Sequence, residues 1–383
     1  MNIKEIGEIR RHIRRDRSNM TEIYGCYVNE GKEIVAEFRQ STAIMSENDA
    51  EKYFALLRKS LSGTVGKNLI DITFQTAQVA GSPEHGLLMD LRKERLQNAA
   101  TRETFYKKVM DSVNLDSAYL ILLGCDSYDV PFKSKDDTFQ ADAGDTVYTY
   151  LLCAICPVKL AKATLHYDAE SKAFHDGGAN NVASNPELGF LFPAFDNRAT
   201  NIYNALYYTR NTKVGQDAFA AAIFNRPIPQ PAQQQKKSFE GLLTTALGED
   251  SSMEVVQSVH QELCQRIELH KESKVPEALL VRKEDVTQVL TDCGVSEEHI
   301  AKFNVEYDEA FGFEADLHPR NIIDNKRFEV KLPDVSIKVA SDRTDLIQTR
   351  VIDGVKYILI NADEDVEVNG VGIHISDKEA MPV

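Results

Sequence analysis

Acidic side chains gather in one stretch of the sequence, where they offer ligands for a metal ion. Asp126 and Asp129 follow an apolar run at residues 118–123, and four more aspartates precede the next apolar run: Asp136, Asp137, Asp142 and Asp145. Hard cations such as Mg²⁺ and Ca²⁺ bind carboxylate oxygens, but this spacing matches no known calcium loop. We therefore predict no metal and no cofactor. If a metal binds, Asp126 and Asp129 are the candidates, because they leave the strand end directly.

A second group of polar side chains lies between residues 189 and 210. Asp196 ends an aromatic run and has the side chain of a helix N-cap. A helix that begins there carries Ala199, Ile202 and Leu206 on one apolar stripe and presents amides, a guanidinium and a phenol on its other faces. The predicted candidate cleft is Asp196, Arg198, Asn201 and Tyr208. The alternative is a polar network that fixes this helix to a sheet, since most buried polar groups serve structure.

Arginines are concentrated in and just after the first predicted helix, residues 3–15. Arg10, Arg14 and Arg17 are spaced to share one helix face, and two more arginines lie beside them, Arg11 and Arg15. Such a concentrated positive surface in an acidic chain fits contacts with phosphate groups. The alternatives are ion pairs with the protein's own acids or with a second subunit.

Two short motifs have the spacing of functional signatures but the wrong context. Residues 63–68, Gly-Thr-Val-Gly-Lys-Asn, follow a predicted helix and precede a predicted strand, the reverse of the order in a phosphate-binding loop. Cys153 and Cys156 have redox spacing, yet on a strand they point to opposite faces, so we predict buried thiols. No set of nucleophile, base and orienting group can be named. The sequence therefore has no evident catalytic machinery.

Composition predicts an acidic protein without a membrane or secretion signal. The 383 residues carry a formal net charge of −15, which disfavours diffuse attraction to nucleic acid or to an anionic membrane. No apolar run approaches the ~20 residues of a membrane-spanning helix, and the charged amino terminus has no secretory h-region. Six scattered cysteines fit reduced thiols. These features predict a cytoplasmic protein with no membrane partner.

The order of predicted elements places the chain in the α+β class. Two nearly continuous apolar runs, residues 118–123 and 147–156, indicate strands buried on both faces of a central sheet. Asp353-Gly354 and Asn369-Gly370 indicate two-residue hairpin turns near the carboxyl end. The predicted organisation is an N-terminal mixed α/β domain with a central sheet (1–226), a Pro/Gln-rich linker (227–237), a helical segment (238–303) and a small strand-rich region (304–383).

Five stretches of the sequence are specific enough to compare with known families. They are Tyr24-Gly-Cys-Tyr-Val28, Leu61-Ser-Gly-Thr-Val-Gly-Lys-Asn68, Cys153-Ala-Ile-Cys-Pro157, residues 189–210, and Val351-Ile-Asp-Gly-Val-Lys-Tyr-Ile-Leu-Ile360. They resemble an uncharacterised bacterial family, domain of unknown function 4317, and the resemblance runs over nearly the whole chain. The resemblance implies no activity, because none is established for that family.

Residues 209–225 are similar to a stretch in the bacterial nucleoid-associated protein family. That stretch has a basic residue, a Val-Gly step and a helix with paired aromatics. The basic cluster of that family is reduced here to Arg210 and Lys213. This partial resemblance implies an association with DNA or with a DNA-associated protein.

We therefore expect a cytosolic binding protein whose partner is DNA, a DNA-associated protein or a second subunit. The predicted partner-binding residues are Arg10, Arg14, Arg17, Arg210 and Lys213. The alternative is a metal-dependent hydrolase or a nucleotide-binding enzyme. Its predicted site combines Asp126, Asp129, Asp196 and Arg198. Convergence of these four side chains in one pocket favours the enzyme, and their dispersal favours the binding protein.

Overall fold

The protein forms two compact units in a computed structural model of the chain. The structure describes residues 1–373 except 134–138, 141–146, 162–164, 169, 177–179, 212–215, 274, 276, 313–314 and 363–365. Unit 1 comprises Met1–Pro231 with Pro276–Ala278, and unit 2 comprises Ala232–Val275 with Leu279–Val383. The division into four regions from the sequence stays a prediction.

Unit 1 contains a large antiparallel sheet and several short two-stranded ribbons. Its strands are β1 (Glu22–Val28), β2 (Ile34–Ser41), β3 (Leu69–Thr73), β4 (Tyr119–Asp129), β5 (Phe132–Lys133), β6 (Phe139–Gln140), β7 (Val147–Leu160), β8 (Leu165–Asp168), β9 (Ala173–Asp176), β10 (Asn181–Ala183), β11 (Leu188–Phe192), β12 (Ala194–Asp196), β13 (Ala199–Asn201) and β14 (Asn204–Thr209). The order across the sheet is β2-β1-β4-β7-β11-β14-β3, and β10 also pairs with β7. Separate ribbons form from β5 with β6, β8 with β9, and β12 with β13.

Helices cover both faces of this sheet. The helices of unit 1 are α1 (Ile3–His12), α2 (Glu47–Lys59), α3 (Thr76–Gly81), α4 (Pro83–Lys93), α5 (Ala99–Ser112) and α6 (Asp217–Phe224). Successive residues of a central strand enter separate apolar clusters: Ile121 packs with α4, α5 and α6, and Leu122 packs with α1 and α2. This arrangement explains the uninterrupted apolar runs of β4 and β7, whose prediction is confirmed.

The two cysteines of β7 follow the same alternation. Cys153 lies in the cluster under α4 to α6, and Cys156 lies in the cluster under α1 and α2. Both side chains are buried and both are free thiols. The prediction of two buried thiols on opposite faces is therefore confirmed.

The edge strand β2 packs an aromatic side chain over a glycine of the neighbouring strand β1. Gly25 of β1 lies directly across from Phe38 of β2, and a methyl group at position 25 would overlap the Phe38 ring. Phe38 is half-buried against the cluster under α1 and α2, whereas most of β2 is exposed. The missing side chain at position 25 thus leaves the space into which the aromatic ring packs.

Residues 196–206 do not form the predicted helix. They form β12, β13 and the start of β14, and Asp196 is the last residue of a strand instead of a helix cap. Asn197 and Arg198 occupy the two central positions of the β12–β13 turn with φ of 50° and 60°. The β12–β13 turn is short, and both faces of β14 are buried. The apolar residues of this stretch therefore do not alternate as in a half-buried strand, and their spacing resembled that of an amphipathic helix.

Unit 2 is a helical core followed by β-hairpins. Its helices are α7 (Ala232–Leu247), α8 (Met253–Ser273), α9 (Lys283–Asp292), α10 (Glu297–Phe311) and α11 (Pro319–Ile322), with 3₁₀ helices at Gly248–Asp250 and Thr344–Leu346. Its strands are β15 (Arg327–Lys331), β16 (Ser336–Ala340), β17 (Ile347–Ile352), β18 (Val355–Ile360), β19 (Val366–Val368) and β20 (Val371–Ile373). These strands form three separate antiparallel pairs. Residues 232–237 of the predicted linker belong to α7, because Ala, Gln and Lys are good helix formers.

The turns of two hairpins agree with the sequence. Asp353 and Gly354 have φ of 50° and 79°, and Asn369 and Gly370 have φ of 52° and 80°. These positive angles are those of a two-residue hairpin turn, which confirms both turn predictions. A large antiparallel sheet with covering helices in unit 1 and a helical middle in unit 2 confirm the α+β class.

Candidate functional site around the first helix

Helix α1 contacts several of the predicted site residues. The helix begins with a capping box, in which the Asn2 side chain accepts a hydrogen bond from the backbone N–H of Glu5, and the Glu5 side chain accepts one from that of Asn2. Ile6 and Ile9 bury its apolar side in unit 1. Its polar groups meet the rest of unit 1 in three clusters, one at each end and one in the middle.

The first cluster surrounds the α-amino group of Met1. Its nitrogen lies 2.8 Å from Asp196 Oδ1 and 3.0 Å from Asp71 Oδ1. The side-chain amides of Asn201 and Asn204 donate to Asp196 Oδ2 at 2.9 and 3.3 Å. Burial alone favours the neutral amine, but the carboxylates of Asp71 and Asp196 raise the pKa of the amino group to about 11. The ammonium in turn holds the pKa of Asp196 below its usual value despite burial.

The second cluster joins the middle of α1 to the β12–β13 turn. Arg198 Nη1 donates to both carboxylate oxygens of Glu8 at 2.8 and 2.7 Å, and its Nη2 donates to the carbonyl of Pro131 at 3.0 Å. Tyr128 Oη donates to Glu8 Oε1 at 2.7 Å. Both Nη atoms of Arg198 therefore have acceptors, and the guanidinium ties the β12–β13 turn to the middle of α1.

The third cluster surrounds Asp126, whose side chain is fully buried. Asp126 Oδ2 accepts hydrogen bonds from Ser18 Oγ at 2.8 Å and Tyr150 Oη at 2.9 Å, and Oδ1 accepts one from the backbone N–H of Asn19 at 2.8 Å. His12 Nε2 lies 3.3 Å from Oδ2. The Ser18 hydroxyl bonds to the aspartate instead of the imidazole, so these residues do not form a catalytic triad in which histidine takes the serine proton.

The predicted site residues are thus distributed along α1. A rise of 1.5 Å per residue makes the 10 residues of α1 about 15 Å long, and Asp196 and Asp126 lie at its opposite ends. Tyr208 is a buried residue of β14 in the apolar cluster under α1 and α2. Asp129, the last residue of β4, is exposed. Four other predicted loop acids lie outside the described residues: Asp136, Asp137, Asp142 and Asp145.

In the last turn of α1 and just beyond it, the arginines face solvent. We define the arginine turn as the segment 10–17; its arginines are Arg10, Arg11, Arg14, Arg15 and Arg17, and all are exposed. Because α1 ends at His12, the prediction that Arg10, Arg14 and Arg17 share one helix face is wrong. Backbone hydrogen bonds from the N–H groups of Arg17 and Ser18 to the carbonyl of Arg14 close a turn instead.

The arginines of this turn differ in their ion pairs from several cations elsewhere in unit 1, such as Arg39 and Arg198. Arg17 lies 3.7 Å from Asp16, but no described acid lies within ion-pairing distance of the other four arginines of the turn. By contrast, Arg39 pairs with Glu22. Arg210 lies 3.9 Å from Glu187, and Lys213 lies outside the described residues.

A cavity of about 280 Å³ lies at the end of β1 and β4. It is lined by Thr21, Glu22, Lys93, Glu94, Arg95, Gln97 and Cys125. Glu22 accepts hydrogen bonds from Tyr24, Arg39 and Gln97, and burial raises the pKa of the Cys125 thiol to about 11. The carboxylate is engaged and the thiol is protonated, so neither is ready to act as a base or a nucleophile.

A comparison with family models identifies the chain. The model of a family described as "Domain of unknown function (DUF4317)" matches residues 1–371. The chain belongs to this family. A comparison with curated proteins finds no significant match. The similarity of residues 209–225 to nucleoid-associated proteins is not shown by these comparisons and stays a prediction.

In the described part of this DUF4317 chain, no group of three or more His, Cys, Asp or Glu side chains has an arrangement that holds a metal ion. No helix within the described ranges is long and apolar enough to cross a membrane.

Sequence reasoning missed the partners of the predicted residues in this DUF4317 chain. The amino group of Met1, just before α1, meets Asp196, and within the helix Glu8 meets Arg198 and His12 meets Asp126. The Asn2–Glu5 capping box was visible as a signal that α1 starts at once. Nothing in the spacing indicated that the helix would meet strands that lie more than a hundred residues away.

Proposed function

We propose that this protein is a cytosolic, non-enzymatic binding protein whose arginine turn binds the phosphates of a nucleic acid. The observation that supports this most directly is the exposure of Arg10, Arg11, Arg14 and Arg15 without a described acidic partner within ion-pairing distance. The turn concentrates four such cations within six residues of a chain whose net charge is −15.

Arginine is well suited to this partner. The guanidinium presents a planar set of donors that matches phosphate oxygens and stays charged at all physiological pH values. Four such groups in a six-residue segment form a local positive field that acts within a Debye length, about 8 Å at physiological salt. The global negative charge then repels non-specific approach elsewhere, which restricts contact to the turn.

The dispersal of the candidate cleft supports a binding role over catalysis. Asp196 and Arg198 are held by Met1 and Glu8, and Asp126 is surrounded by donors from other elements. Catalysis requires groups that converge on one reacting atom. The enzymatic alternative, a metal-dependent hydrolase or nucleotide-binding enzyme, therefore gains no support from these contacts and stays a prediction.

The cytosolic part of the proposal is supported by the thiols. All six cysteines are free, and four of them are buried. Extracellular proteins commonly use cysteines in disulfides, whereas reducing compartments keep them as thiols.

A matched pair of variants tests the proposal. In the first, Arg10, Arg14 and Arg15 are replaced by Gln; in the control, three exposed or partly exposed cations that have acidic partners, Arg39, Lys52 and Lys107, are replaced by Gln. Both variants change the net charge equally. Binding of duplex DNA and of single-stranded RNA is measured by fluorescence anisotropy between 50 and 200 mM salt.

We expect the slope of log affinity against log salt to fall by about 3 in the first variant, since each lost phosphate contact removes about 0.9. The control should keep the slope of the wild type. Equal slopes in both variants, or no binding of either nucleic acid at the lowest salt, would overturn the proposal. Loss of an oligomer in light scattering without any nucleic-acid binding would identify the turn as a subunit contact instead.

A further inference from the structure

The hairpin of β17 and β18, residues 347–360, exposes apolar side chains on both of its faces. We call it the C-terminal ribbon. Val351 is 68% exposed, and Val355 and Ile360 are 53% and 55% exposed. Val351 and Ile360 lie on one face, because their partners across the ribbon are Lys356 and Ile347. Val355 lies on the opposite face. A ribbon that is apolar on both sides is typical of a buried element, not of a surface hairpin.

The backbone of the ribbon is also incompletely paired. Among the described strands, β17 and β18 pair only with each other, so each has one open edge. An isolated two-stranded sheet is marginally stable in water. Natural edge strands are usually protected by charges, prolines or bulges. Strand β18, Val-Lys-Tyr-Ile-Leu-Ile, has a single charge, and its register with β17 is regular.

We propose that the C-terminal ribbon is a self-association surface, in which β18 of one chain pairs antiparallel with β18 of a second copy. The pairing extends two ribbons into a four-stranded sheet, satisfies the open edges of β18, and covers the apolar side chains beside them. The contact is isologous, because the same strand supplies both halves.

Charge favours a second copy as the occupant. Two chains of net charge −15 repel each other over most of their surfaces. Residues 327–360, however, contain six basic and five acidic side chains, so this part of the chain is nearly neutral. The ribbon is therefore a place where two copies approach without a strong electrostatic barrier.

The sequence of β18 is also compatible with antiparallel pairing to the same strand of a second copy. A two-fold axis perpendicular to a continuous sheet does not exchange the two faces of that sheet. Residues that oppose each other across the two β18 strands must therefore lie on the same face, so their positions in the sequence differ by an even number. The two registers with the greatest overlap then place either Tyr357 or Ile358 on the axis. In the first, Lys356 faces Ile358 of the second copy, and in the second it faces Ile360. Neither register opposes two like charges, which would destabilise a cross-strand pair.

The mass of the full chain in light scattering tests the proposal. We expect a dimer for the wild type and a monomer for Tyr357→Glu, because a carboxylate at this position faces either its own copy or the apolar Leu359 of the second copy across the shared edge. Tyr357 is exposed, and its partner across the hairpin is Arg350, so the hairpin itself tolerates the change. Val305→Glu is the control, since Val305 is 59% exposed on α10, outside the ribbon, and it should remain dimeric. A monomeric wild type, or a dimer that survives Tyr357→Glu, refutes the proposal.

A disulfide test identifies the partner strand. In a background with Cys264→Ser and Cys293→Ser, Tyr357→Cys and Ile358→Cys are oxidised separately. The residue on the axis faces its own copy at ~4.5–5.5 Å between Cα atoms, within the reach of a disulfide. The other residue lies two positions out of register and beyond that reach. We expect one variant, and not both, to form a covalent dimer; no covalent dimer from either variant overturns the pairing.

Discussion

The inward side of helix α1 and the arginine turn, which overlaps the last residues of the helix, use charged groups in opposite ways. The charged groups that point into unit 1 each meet a partner: the amino group of Met1, just before the helix, meets Asp196, Glu8 meets Arg198, and His12 meets Asp126. The exposed arginines of the turn have one acidic partner among the described residues, Asp16, which pairs with Arg17.

The difference shows that the type of a residue does not indicate whether its polar groups are already bound within the fold. Asp196 and Arg198 have the chemistry of a site, yet their hydrogen-bonding capacity is used by α1 and its neighbours. A group whose bonds are already satisfied has little to offer a ligand. The exposed arginines of the turn have hydrogen-bond donors that point to solvent. The contrast can be tested by substitutions among the bonded groups and among the exposed arginines.

The largest effect is expected at Asp126. Asp126→Ala removes the acceptor for Ser18, Asn19 and Tyr150, and the phenol of Tyr150 is then buried without a partner. We expect a loss of about 3 kcal/mol in the free energy of unfolding, measured with urea. Asp129→Ala should change it by less than about 0.5 kcal/mol, because Asp129 is exposed.

The same two variants examine the metal hypothesis. If Asp126 and Asp129 held a cation together, Mg²⁺ or Ca²⁺ would raise the melting temperature of the wild type, and Asp129→Ala would abolish that increase. We expect no increase. An increase in melting temperature that needs the carboxylates of both Asp126 and Asp129 would show that Asp126 can bind a ligand although its oxygens already accept hydrogen bonds.

The next effect is expected at Asp196. A helix cap would tolerate Asp196→Asn, with a loss of about 1 kcal/mol only for Ala. The structure instead pairs Asp196 with the buried amino group of Met1, and Asn cannot supply the negative charge. Asp71 remains as a second partner, so we expect Asp196→Asn to cost about 2–3 kcal/mol in urea unfolding. A loss well below 1 kcal/mol would contradict the ion pair.

The pH dependence of stability provides a control for this cluster. The folded amino group has a pKa raised from 8.0 to about 11, so its stabilising contribution is complete below pH 8. That contribution is lost as pH rises from 8 towards 11 and the amine deprotonates in the folded state. Asp196→Asn should flatten this decline relative to the wild type, because half of the charge that raises the pKa is gone.

The smallest change is expected from the thiols of β7. Burial raises the pKa of Cys153 well above its usual value and that of Cys156 to about 12, so both should remain protonated and inaccessible. We expect no labelling of either by a thiol reagent in the native state and complete labelling in urea, read by mass spectrometry. Rapid labelling of Cys153 or Cys156 in the native state would contradict the prediction that both thiols are buried and unreactive.

The sequence predicted the central sheet well and the candidate site poorly. The runs at 118–123 and 147–156 were recognisable because both faces of β4 and β7 are buried, which requires apolar residues at every position. The same property misled the prediction at 199–206. In β14, Leu206 and Tyr207 face opposite apolar clusters, and without a clear alternation of two the stretch matched a helix.

The partners of the site could not be predicted for a different reason. Asp126 meets Ser18, and Arg198 meets Glu8, across separations of 108 and 190 residues. No local rule of capping, periodicity or turn chemistry reaches that far. The arginine turn was recognisable as a concentration of charge, but the lack of a described ion-pairing acid for Arg10, Arg11, Arg14 and Arg15 depends on the folded arrangement of unit 1.

The packing of Phe38 on Gly25 has a consequence for how this family can vary. The Phe38 ring fills a space that exists only while position 25 has no side chain, so substitutions at the two positions depend on each other. A bulkier residue at 25 becomes acceptable only together with a smaller one at 38, and a change at either position alone weakens the hold on the edge strand. Among relatives of this chain, we therefore expect the two sites to change together or not at all.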